Sequence, residues 1–243
     1  MGNEIVSREE WLAARRRLLL REKEETRLRD AVNAERLALP WVRVDKDYRF
    51  ATENGDCNLA DLFSGRSQLV VYHFMLGPDW EAGCPGCSFL ADHLDGALPH
   101  LNGHDVSLVV VSRAPLDQIL RYRARMGWRF PWVSSHDSDF NYDFDVSFAP
   151  EQLAEGVVRY NFTRIPAEQA NSELPGLSCF YQDDAGDVFH TYSSYARGVE
   201  QIVGTFMILD RAPKGRNERP DEEFPRRHDE YGWDQPAAHC CGE

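Results

Sequence analysis

Two cysteines, Cys84 and Cys87, bracket the pair Pro85-Gly86. Sulfurs three positions apart can close into a disulfide with one another and open again, which is dithiol–disulfide exchange. That chemistry runs through a thiolate, because the ionised sulfur is the nucleophile. A helix start supplies unpaired N–H groups and partial positive charge that stabilise such an anion. Pro85 suits the first position of that helix. On this reading Cys84 attacks, or is attacked when oxidised, and Cys87 resolves the mixed disulfide from inside the first turn. Couples of this type span about −270 to −120 mV, so the motif alone sets no redox direction.

The pair needs a sheet and a helix to hold it. The apolar run at 69–75 predicts a central strand, the loop at 77–83 leads to the cysteines, and a helix is expected over 85–98. Residues 106–111 read as a second buried strand, 116–126 as a helix closed by Gly127, and 132–133 as a short strand. Residues 177–181 and 188–192, joined by Asp183-Asp184-Ala185-Gly186, predict a β-hairpin, and 198–209 a last helix. Before the pair, 41–50 alternates like a strand or hairpin and 59–63 reads as a helical turn. Residues 151–175 give no clear pattern and read as an insertion. This order predicts an α/β sheet flanked by helices, with an antiparallel end.

Ser7 and Glu10 form a capping box that opens one long helix, or two, over 8–37, ended before Pro40. Residues 1–40 therefore read as a helical extension that packs on the domain or on a second subunit, which leaves room for a homodimer. The domain itself is expected over 41–210. Residues 211–243, with four prolines and many charges, predict an irregular tail.

The chain has 243 residues, 42% of them hydrophobic, and a net charge of −13. That charge disfavours nucleic acid and anionic membranes as partners. No apolar run approaches the roughly 20 residues that span a bilayer. The first residues lack a basic segment followed by an apolar one, and six cysteines are too scattered for a disulfide scaffold. A cytoplasmic location is expected, with no cofactor and with a protein or small-molecule disulfide or dithiol as partner.

Other readings compete. Structural or metal-binding cysteines would make the chain a non-catalytic binding module; a metal needs further ligands, for which His73 or His239, Cys240 and Cys241 are candidates. Asp139, Asn141, Asp143 and Asp145 suggest a calcium loop, but Phe144 stands where that loop needs glycine. Their alternation with Phe140, Tyr142 and Phe144 predicts a half-buried strand or turn. His73 is either a satisfied core histidine or a base. Glu81, three residues before Cys84, is placed to accept its proton. Arg113 follows a strand end, where it could draw an acidic group or lower a thiol pKa, or form a surface salt bridge. Cys179 reads as core and Cys57 as loop.

Several stretches are similar to the domain-of-unknown-function 899 family. They include Asp79-Trp80-Glu81-Ala82-Gly83-Cys84-Pro85-Gly86-Cys87-Ser88-Phe89, Phe130-Pro131-Trp132-Val133-Ser134-Ser135 and Val188-Phe189-His190-Thr191-Tyr192-Ser193. The resemblance covers residues 8–230. It implies a thioredoxin-like fold and a dithiol-disulfide oxidoreductase. Thioredoxin-like proteins carry a cis-proline beside the cysteines, and Pro175 is the candidate, either as that cis-proline or as an ordinary trans loop proline. They also resemble one another in a tryptophan before the first cysteine; Gly83 stands there, with Trp80 nearby as a substrate-docking residue. Peroxiredoxins share the layout but use a threonine three residues before the attacking cysteine and a proline four before that. Glu81 and Gly77 occupy those places for Cys84, and Cys84 and Trp80 for Cys87. The thiol peroxidase alternative therefore lacks its motif.

Overall fold

The structure is a computed structural model and describes residues 3–218 and 224–231. The chain divides into two compact units, Met1–Trp41 and Val42–Glu243. The first is built on one helix, α1 (Arg8–Leu37). Its capping box is formed: the Glu10 N–H donates to Ser7 Oγ (3.3 Å) and the Ser7 N–H to Glu10 Oε2 (2.9 Å). Trp11, Leu18, Leu19, Leu28 and Val32 are exposed on it.

The second unit runs β1 (Val42–Arg43), β2 (Arg49–Thr52), β3 (Gly55–Asn58), β4 (Gln68–His73), α2 (Pro85–Ala91), α3 (Leu94–Gly103), β5 (Val106–Ser112), α4 (Leu116–Met126) and β6 (Trp132–Ser134). It continues with α5 (Phe140–Asp143), α6 (Pro150–Ala154), β7 (Val157–Tyr160), β8 (Thr163–Pro166), β9 (Gly176–Gln182), β10 (Val188–Tyr195) and α7 (Gly204–Leu209). Eight strands form one sheet in the order β1-β10-β9-β4-β5-β6-β2-β3. β4, β5 and β6 are parallel, while β9 runs antiparallel to β4 and β10 antiparallel to β9. The central order β5-β4-β9-β10, with a helical crossover between β4 and β5, is that of the thioredoxin fold.

β4 is largely apolar between Leu69 and Tyr72 because both faces of the sheet are covered. Tyr72 and, just beyond the strand, Phe74 face a core completed by Cys87 and Leu90 of α2, Leu94 of α3, and Ile119 and Tyr122 of α4. Leu69 and Val71 face the opposite core, against Phe140, Phe144 and Phe180. Fully burying each such side chain contributes about 1.5–3 kcal/mol, so β4 is a firmly anchored strand from which to hang a site.

Four expectations are corrected. The helix over 85–98 is two helices, broken at Asp92-His93, where the Asp92 carboxylate accepts the Trp128 indole N–H (2.8 Å) and pairs with His228 (2.7 Å). The expected strand or turn at 139–145 contains the short helix α5: Phe140 and Phe144, four apart, then share one face and pack with their rings tilted at 44° and centroids 4.7 Å apart. The last helix divides into a 3-10 segment, Ala196–Ile202, and α7. Cys57 lies on β3, not in a loop. Residues 151–175 hold α6's end and a separate β7–β8 hairpin.

Candidate functional site

β4 ends at His73, and the chain then loops back so that the Cys84 N–H donates to the Met75 carbonyl (3.0 Å). Cys84 is the N-cap of α2 and Pro85 its first residue. The Cys84 carbonyl accepts both the Ser88 N–H and the Ser88 hydroxyl, each at 2.9 Å, and Ser88 Oγ is 2.8 Å from the Tyr122 hydroxyl. Cys84 is therefore held by hydrogen bonds on both sides. Gly83 before it has no room for a side chain: a Cβ there would lie 2.5 Å from the Phe74 ring and 2.7 Å from the Tyr122 ring. This explains why tryptophan does not precede the first cysteine.

The two sulfurs differ in depth and acidity. Cys84 is half-buried and Cys87 buried, and both are reduced in this structure. The Cys87 thiol donates to the Cys84 sulfur, which is the largest influence lowering Cys84 to about 6. Burial opposes it; the backbone N–H groups of Cys87 and Gly86 and the charge of Arg227 act with it. Burial pushes Cys87 well above the ordinary thiol value, assisted by its bond to Cys84. Cys87 also accepts the Tyr72 hydroxyl and the Met75 N–H, the latter at 3.5 Å. The pair thus sets a half-buried, more acidic thiol in front of a buried, less acidic one.

A segment distant in sequence completes the site. Residues 224–231 lie along α2. Phe224 packs on Phe89 and Phe206, with ring centroids 5.7 and 6.3 Å away. The Phe224–Pro225 bond is cis. Arg227 donates through Nε (2.9 Å) and Nη2 (2.6 Å) to the Gly83 carbonyl. Asp229 pairs with Arg125 at 2.7 Å. Nothing local announces Arg227; among the described residues its role appears only once residues 144 apart are brought together. Tyr72 and Tyr122 were likewise indistinguishable from other core aromatics.

The residues singled out from sequence separate into groups. Pro175 reaches the cysteines and lines a cavity with them, and of the two isomers left open for the Leu174–Pro175 bond it has the trans one. Trp80 packs beside the same core, and Gln118 Nε2 donates to its carbonyl. Glu81 is exposed on the loop. His73 is on the opposite face of the sheet, stacked on Phe140 and Phe144 and 2.9 Å from Ser178 Oγ. Burial first, then the nearby His190, lowers it to about 3, so it is neutral at working pH. Arg113 is not a surface ion pair: it donates to Glu173 Oε1 (2.7 Å), whose side chain is 1% exposed. Burial holds the Glu173 carboxyl above its usual range, against the pull of Arg113. Asp139 and Asp143 pair with Lys46. Among the described residues no group of three His, Cys, Asp or Glu side chains is arranged to hold a metal. His239, Cys240 and Cys241 lie outside the described residues.

A family model matches residues 1–231, that of the "Bacterial protein of unknown function (DUF899)". The chain belongs to the DUF899 family. No curated protein matches it. Among solved structures, this DUF899 member is similar to peroxiredoxin Q of Xanthomonas campestris, at 14% identity and a TM-score of 0.45, over 67% of this chain and 89% of that one. It is similar to the peroxidoxin BcpB of Mycobacterium tuberculosis, at 14% identity and a TM-score of 0.44, over 70% and 97%. A mitochondrial 2-cys peroxiredoxin of Plasmodium falciparum follows at 15% identity and a TM-score of 0.38, over 71% and 92%. Among the described residues no helix is long and apolar enough to cross a membrane.

Proposed function

We propose that this DUF899 protein is a thiol–disulfide oxidoreductase that uses Cys84 as nucleophile and Cys87 as resolving thiol. The observation that carries the reading is the placement of the two free cysteines: half-buried Cys84 caps the N-terminus of α2 and buried Cys87 sits in its first turn, where Cys87 and the backbone N–H groups lower Cys84 to about 6. With a thiol pKa near 6, about nine-tenths of Cys84 is thiolate at pH 7, against a few per cent for an ordinary cysteine.

In the forward direction the Cys84 thiolate attacks one sulfur of a substrate disulfide. A Cys84–substrate disulfide forms and the other substrate sulfur leaves as a thiolate, taking a proton from water. Cys87 then gives up its proton to solvent and attacks the Cys84 sulfur. The Cys84–Cys87 disulfide forms, the Cys84–substrate bond breaks, and the second substrate sulfur leaves as a thiolate that solvent protonates. Two electrons pass from protein to substrate, and an external dithiol restores the reduced pair. Once Cys84 is bonded to substrate it no longer holds negative charge, which removes one of the influences keeping the Cys87 proton in place.

Cys84→Ser should abolish dithiothreitol-coupled disulfide reduction, and Cys87→Ser should accumulate a mixed disulfide on Cys84. Retention of full activity by Cys84→Ser would overturn the assignment. Consumption of hydrogen peroxide by the wild-type protein, with no disulfide reduction, would move it to the peroxidase class.

A further inference from the structure

The cysteines form one wall of an apolar cavity of about 200 Å³. The other walls include Tyr72, Phe89, Pro175, Val203, Phe206 and Pro225. Glu200, the charged residue beside it, is occupied in ion pairs with Arg197 (3.2 Å) and Arg216 (3.7 Å). A cavity of roughly 150 Å³ lined by aliphatic and aromatic groups stays dry and binds benzene. A ring-sized apolar group therefore fits here, in contact with the reactive sulfur. A charged group would lose its hydration without gaining a partner.

Two features argue against a protein chain as the occupant. Pro225, from the segment anchored by Arg227 and Asp229, forms part of the wall and narrows the approach to Cys84. The Pro175 carbonyl, which an incoming backbone could use, already accepts the Tyr160 hydroxyl at 2.6 Å. Resting on the exchange reading above, we propose that this cavity is a substrate subsite for the apolar, benzyl-sized substituent of a low-molecular-weight disulfide.

The step balances as ordinary exchange. The Cys84 thiolate attacks the sulfur carrying the apolar group, and the second substrate sulfur departs as a thiolate that water protonates. Cys87 loses its proton to solvent and attacks Cys84, which releases the apolar sulfur as a thiolate that solvent protonates. The protein dithiol is oxidised by two electrons and the substrate disulfide is reduced to two thiols.

The test compares benzyl 2-hydroxyethyl disulfide, bis(2-hydroxyethyl) disulfide and insulin, each with dithiothreitol as final reductant. The first two share a leaving thiol and differ in the group offered to the cavity. The expected result is a kcat/KM at least tenfold higher for the benzyl compound, with insulin slower than both. Val203→Phe, which fills the cavity, should bring the ratio of the two small disulfides towards one. Because Val203 is also part of the core, a second measurement uses the unmodified protein. Benzyl methyl thioether, which cannot be reduced, should slow iodoacetamide modification of Cys84, while methyl 2-hydroxyethyl thioether should not. Equal rates for the small disulfides without thioether protection would overturn the subsite and leave the exchange reading standing. Faster reduction of insulin than of either small disulfide would also overturn it. Protection without reduction of any disulfide would overturn the exchange reading and with it the substrate assignment.

Discussion

Removing the Cys87 sulfur should move the titration of Cys84 in a calculable way. The Cys87 thiol is the largest influence lowering Cys84. A hydrogen bond to a charged group contributes about 1.5–3 kcal/mol. One pK unit corresponds to about 1.4 kcal/mol, so Cys87→Ala should raise Cys84 by roughly one to two units. A depressed thiol is a thiolate above its own pKa and loses that charge as pH falls through it. Wild-type Cys84 should thus be half ionised near pH 6. In the variant the thiolate fraction at that pH should fall about five- to fifty-fold. Intrinsic nucleophilicity rises with pKa, with a Brønsted slope of about 0.4–0.5, so the alkaline plateau of the variant should be roughly three- to tenfold higher. The two curves therefore cross. The assay is iodoacetamide labelling between pH 4.5 and 9.5, read by mass spectrometry on the Cys84 peptide; Cys57, which burial pushes up to about 11, serves as a slow internal comparison. A wild-type midpoint near the ordinary value of about 8.5, or one that Cys87→Ala does not move, would refute the reasoning.

Three further outcomes follow from the same contacts. Arg227→Met should raise the Cys84 midpoint by less than Cys87→Ala does, because its charge is the smallest of the named influences, and should expose residues 224–231 to limited proteolysis. Gly83→Ala should destabilise the protein by about 1–3 kcal/mol through overpacking, whereas Gly86→Ala, whose added carbon would meet Cys84 Sγ at 3.8 Å, should change the denaturation midpoint little. Glu173→Gln should cost roughly 3–5 kcal/mol in chemical denaturation, since it leaves the Arg113 guanidinium without its buried counter-charge.

What could be read from sequence was what is local. The strand at 69–75, the proline at the helix start and the spacing of Cys84 and Cys87 depend on neighbours a few residues away, and together they place the chemistry. The glycine that closes the helix at 127 and the turn before β10 are equally local. What escaped is set by long-range contacts. At the end of α2 the Asp92 carboxylate bonds Trp128 and His228, and neither is near it in the chain. The alternating stretch at 139–145 fits a strand by period, but the core it meets rewards the four-residue spacing of Phe140 and Phe144. Arg113 stayed open between drawing an acidic group, tuning a thiol and a surface salt bridge because its partner, Glu173, sits in a stretch with no recognisable pattern. Arg227 lies in a proline-rich tail whose composition gave no reason to bring it to Gly83.

The central claim is that Cys84 and Cys87 interconvert between dithiol and disulfide. Trypsin leaves both in one peptide, since no lysine or arginine falls between Arg66 and Arg113. Equilibration of the protein in glutathione buffers of graded potential, acid quenching and mass spectrometry of that peptide measure the couple directly. The account predicts a reversible loss of two hydrogens with both sulfurs protected from alkylation, following a two-electron curve. A peptide that stays fully reducible and alkylatable at every potential, or that gains only a glutathione on Cys84 without linking to Cys87, would contradict it.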